Sequence, residues 1–120
     1  MDYRIENDII IFTVHGNTPV SVIIATFEAA LADPAAVLPA LILVDGSRST
    51  AIRTTHEVET FAAALSGWKD KIKKIAIYVT SELHYGTMRM GTAYSSLSSF
   101  DVMPFRSYEE AMDFLEKSRH

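Results

Sequence analysis

The residues best equipped for chemistry lie close together between Asp45 and Glu57, in the stretch DGSRSTAIRTTHE. It combines hydroxyls, two arginines, a histidine and two carboxylates. Arg48, Arg53 and His56 flank a polar loop that leads into a helix, and cations beside helix N–H groups can hold a phosphate or carboxylate. The plainer reading is three solvated loop residues. Thr54 and Thr55 also have two uses. Thr54 with Glu57 has the spacing of a capping box, typically worth around 1 kcal/mol. A phosphate on either threonine would sit favourably at a helix N-terminus. Asp45, Ser47 and His56 contain the residue types of a nucleophilic triad, but a triad is defined by geometry, and residues this common meet by chance. The chain has no G-x-S-x-G elbow, phosphate-binding glycine loop or H-E-x-x-H pair; four residues after His56 stands Thr60. An enzyme is therefore not expected, nor is a cofactor or a metal site.

The elements that must position this loop follow from the apolar pattern. Leu41 to Val44 form an unbroken β-leaning run and Asp45-Gly46-Ser47 is a turn signal. Val58, Phe61, Ala62 and Leu65 then recur at helical spacing after the Thr54 cap. Strand, loop and helix follow one another, and in an open α/β sheet ligands meet the protein beyond the carboxyl ends of the strands.

Upstream, Tyr3 to Glu6 and Ile9 to His15 read as strands joined by the two-residue turn Asn7-Asp8. Thr18-Pro19 supplies a cap and a first helical proline for a helix carrying Ile23, Phe27, Ala30 and Leu31, which stops at Asp33-Pro34. Downstream, Trp68 is expected to pack at a junction, and Lys69, Lys71, Lys73 and Lys74 to solvate a helix end ahead of a central strand from Ile75 to Val79. Glu82 to Ser98 suggest a helix through Leu83, Met90, Tyr94 and Leu97, although Gly86 and Gly91 each weaken it by about 1 kcal/mol relative to alanine. Asp101 to Phe105 is a last strand, with Pro104 marking an edge or strand end. Ser107 and Glu110 form a second capping box for a helix carrying Tyr108, Ala111, Met112 and Leu115.

This alternation predicts a single α/β domain over residues 1–120. Its mixed, mostly parallel sheet has about five strands, with helices packed on it, right-handed crossovers and an antiparallel N-terminal edge hairpin. Composition agrees: 48% hydrophobic and 22% charged residues are ordinary for a globular chain. A net charge of −4 leaves no basic footprint, so nucleic acid is not an expected partner. The absence of cysteine excludes disulfides and thiolate chemistry. The N-terminus lacks the pattern of a signal peptide, and the longest apolar run, Ala35 to Val44, is broken by Pro39 and falls short of the roughly 20 residues needed to span a bilayer. A cytoplasmic protein is expected. His84, Tyr85, Met88, Arg89 and Met90 gather on the glycine-weakened segment, where methionine offers an adaptable apolar surface.

The opening hairpin, the strand LILVDGS running through a loop into THEVETFAAAL, the strand IKKIAIYVT and the ending FDVMPFRSYEEAMDFL together resemble a SpoIIAA-like domain. That fold is shared by STAS domains and the lipid-binding CRAL-TRIO (SEC14-like) domains. The resemblance covers nearly the full length, and the ending, in which a short strand leads through Phe and Arg into an acidic helix start, is its most specific part. It implies a SpoIIAA-like βα superhelix. In STAS proteins of the anti-anti-sigma type, a Ser or Thr opening the helix after the third strand is phosphorylated by a partner kinase, typically within Asp-Ser-Ser-Gly. The matching residues here are Arg53-Thr54-Thr55-His56, with hydroxyls present but without that Asp or Gly, while Asp45 and Ser47 match the Asp-x-Ser that ends the third strand.

The first expectation is thus a non-enzymatic regulatory module with a protein partner, a kinase-like regulator by the resemblance. It would act through the loop of Asp45, Ser47, Arg48, Arg53 and His56, with Thr54 and Thr55 as candidate phosphorylation sites. The alternative is a small protein binding an apolar or lipid-like molecule through Tyr85, Met88, Met90 and Tyr94. The same face could serve a homodimer.

Overall fold

Asn7 and Asp8 turn the chain on themselves, with φ of 51° and 67°. Both central residues of a two-residue hairpin turn of this kind need positive φ, which Asn and Asp tolerate better than other side-chain-bearing residues. The turn fixes the register of β1 (Asp2–Glu6) against β2 (Ile9–Gly16), so that Glu6 lies opposite Ile9 and Asp2 opposite Thr13. The structure is a computed structural model and describes residues 1–50, 54–80 and 101–117. The helix expected over Glu82 to Ser98 lies outside the described residues.

After β2 come α1 (Val20–Leu31), β3 (Ala40–Ser49), α2 (Thr55–Gly67), β4 (Ile72–Tyr78), β5 (Asp101–Phe105) and α3 (Tyr108–Glu116). Among the described residues, five strands lie in the order β1-β2-β3-β4-β5, with β1 and β2 antiparallel and the other neighbours parallel. This is the mixed, mostly parallel sheet with an N-terminal edge hairpin that the sequence predicts. The inner strands are buried on both faces, which is why Ile9–Phe12 and Leu41–Val44 read as apolar runs without alternation.

The two faces bury different residues. Ile10, Phe12, Val14, Ile42, Val44, Ile75 and Ile77 meet α1 and α2 through Phe27, Ala30, Leu31 and Leu65. Phe27 is the hub of this layer. Its ring stacks on Phe12 at 4.1 Å between centroids and on Trp68 at 5.6 Å, and meets Phe61 edge-on at 5.3 Å. Trp68 does pack at the junction after α2, as its C-cap residue. On the other face Ile9, Ile11, Leu41, Leu43 and Ala76 share a core with Ala111 and Leu115 of α3. Tyr3 fastens the edge strand to the α1–β3 connection: its hydroxyl donates to Asp33 Oδ2 at 2.8 Å, while Asp33 Oδ1 accepts the Ala35 N–H.

The second capping box is only half formed: the Ser107 hydroxyl oxygen accepts the Glu110 N–H at 3.3 Å, and the Glu110 carboxylate does not accept the Ser107 N–H in return. Three more local expectations need correction. Thr18 does not cap α1. Its hydroxyl donates to the His15 carbonyl at 2.6 Å, and Pro19, in extended conformation, is the N-cap, so the helix proper begins at Val20. Lys73 and Lys74 do not solvate a helix end, because β4 already starts at Ile72. The Lys74 ammonium instead lies 4.4 Å from the Phe114 ring centroid, a cation–π contact between sheet and α3. Third, β3 does not stop at Val44. It runs through the expected turn as far as Ser49.

Candidate functional site

The extension of β3 builds the site. Thr13 pairs with Asp45, but His15 pairs with Arg48 and Gly16 with Ser49, so β3 carries one residue more than β2 across this interval. An extra residue on one strand is a β-bulge, which bends the strand and re-aims its side chains. The turn chemistry of Asp45-Gly46-Ser47 is used inside that bulge: Asp45 Oδ1 accepts from the Ser47 backbone N–H at 3.0 Å and from the Ser47 hydroxyl at 2.6 Å. Gly46 is buried here, where an added Cβ would lie 3.1 Å from Val79 Cγ1 and 3.4 Å from the Tyr78 carbonyl oxygen. Glycine therefore lets β3 pass close to the end of β4.

The far end of the extension is tied to β2. Gly16, in a left-handed conformation with φ of 53°, presents a carbonyl that accepts the Thr50 N–H at 2.9 Å and the Ser49 hydroxyl at 3.4 Å. Beside it, His15 Nε2 lies 3.2 Å from Asp2 Oδ2. The register sets His15 opposite the exposed Arg48, so a histidine and an arginine adjoin at the carboxyl ends of β2 and β3. His15 was not among the residues expected here. The signal that could have found it is the parallel pairing of the two strands, which brings their carboxyl ends together.

α2 opens with the expected capping box. Thr54 is the N-cap, its hydroxyl oxygen accepts the Glu57 N–H at 3.1 Å, and the Thr54 N–H donates to Glu57 Oε1 at 3.0 Å. The next two residues, Thr55 and His56, are exposed on the first turn. The two threonines thus differ: one oxygen is engaged in holding the helix start, and the other hydroxyl lies on its exposed side. Arg53 lies outside the described residues, as do Tyr85, Met88, Met90 and Tyr94.

Asp45 and Ser47 are brought together, though not as parts of a nucleophilic triad. In a triad the serine hydroxyl gives its proton to an imidazole oriented by the carboxylate. Here the hydroxyl bonds the carboxylate directly. Among the described residues, no three His, Asp or Glu side chains gather as metal ligands, and no helix is long and apolar enough to cross a membrane.

No protein-family model matches the chain, and no curated protein matches it. Among solved structures it is similar to an uncharacterised protein of the DUF3478 family with a SpoIIAA-like fold from Shewanella loihica PV-4. The TM-score is 0.64 at 17% identity, over 94% of this chain and 90% of that one. The fold is SpoIIAA-like.

Proposed function

We propose that this protein is a non-enzymatic regulatory module that binds a protein partner through the loop after β3 and the first turn of α2, in the manner of STAS proteins. The observation that carries this reading is the division of labour at the α2 N-terminus. The Thr54–Glu57 box holds the helix start in place, and Thr55 and His56 stand exposed beside it on a SpoIIAA-like fold. If the module is switched by phosphorylation, Thr55 is the position that accepts it without loss of the cap. A phosphate there lies at the positive end of the helix dipole. The direct Asp45–Ser47 bond adds support, because it gives the serine hydroxyl a structural use. The alternative of an apolar or lipid-like ligand gains nothing from the described residues.

Affinity capture from source-cell extract tests the proposal. Wild type should retain a specific protein, and Thr55→Glu, Arg48→Ala and His56→Ala, each confirmed to be folded by circular dichroism, should lose at least tenfold in retention. If all three variants retain the partner as wild type does, the surface is wrong. If nothing is retained by any form, the reading of a protein-binding module fails.

A further inference from the structure

We draw no further inference here: the strongest candidate, the apolar patch along β5 and the outer side of α3 where Met103 and Tyr108 are exposed beside the partly buried Phe105 and Phe114, carries nothing because nothing in the structure shows what covers it.

Discussion

Replacing Thr54 with alanine should destabilise the fold while the same change at Thr55 should not. Thr54→Ala removes the oxygen that accepts the Glu57 N–H at 3.1 Å, and without it the return bond, which the Thr54 N–H donates to Glu57 Oε1, loses its reciprocal partner. Loss of an N-cap side chain costs about 1 kcal/mol, up to about 2 in proteins. The capping residue is exposed, so water can solvate the freed N–H and the cost should stay near the lower figure. For a chain of this size, that corresponds to a fall in Tm of about 4 °C. Thr55→Ala, at an exposed first-turn position, should be neutral or stabilise by a few tenths of a kcal/mol, since alanine is the better helix former. The assay is urea unfolding followed by circular dichroism, with Thr54→Ser as a control that keeps the cap. Glu57→Ala completes a double-mutant cycle, in which the coupling between positions 54 and 57 should reach about 0.5 kcal/mol. Equal losses at 54 and 55, or additive effects at 54 and 57, would refute the assignment of Thr54 as the structural threonine and Thr55 as the free one.

Other consequences follow from the packing and the tethers. Phe27→Ala, at the hub of three ring contacts, should cost about 3–5 kcal/mol by chemical denaturation, enough to threaten folding; Phe27→Leu should cost clearly less. Gly46→Val should cost about 1–3 kcal/mol, because its Cβ alone approaches Val79 Cγ1 to 3.1 Å; unchanged stability would show that β3 and β4 can separate here freely. The Ala35 N–H, and after it the Tyr3 hydroxyl, hold the Asp33 carboxyl below its usual range. A depressed folded-state pKa gives a stabilisation that is present above the unfolded value of about 4 and is lost as pH falls through the folded value. Tyr3 is shifted the opposite way, upward, by its bond to Asp33, so its share is present below about pH 10 and lost as pH rises through the folded value. Asp33→Asn should flatten the acid side of a stability–pH curve and Tyr3→Phe the alkaline side, whereas unchanged curves would show that the tether contributes nothing.

The parts of this fold that were legible in the sequence are those set by interactions within a few residues. Asn7-Asp8 fixes a hairpin through its own backbone preferences, and Thr54 and Glu57 close a capping box across three residues. Runs such as Leu41–Val44 announce strands covered on both faces. What stayed hidden depends on the neighbour. Asp45-Gly46-Ser47 carries every local mark of a turn, and its hydrogen bonds are those of one. The pairing of His15 with Arg48 and the close passage of Gly46 by Val79 nevertheless keep the segment in the sheet. Thr18 looks like a cap until the His15 carbonyl offers its hydroxyl a nearer partner. Lys74 looks like solvated charge until the Phe114 ring, forty residues on, lies beneath it. The Tyr3–Asp33 tether joins residues thirty apart, with no periodicity to betray it. At the site, the helix start could be read from sequence, whereas the meeting of His15 and Arg48 required the strand order.

The most direct test of the central claim is site-specific photocrosslinking in the source cells, with a benzophenone amino acid replacing the exposed Glu59, one turn along α2 from Thr55 and His56, or, as a control, Asp113 on α3. The account predicts a discrete adduct with another protein from position 59 and none from position 113. An adduct from position 113 alone, or none from either position, would contradict it.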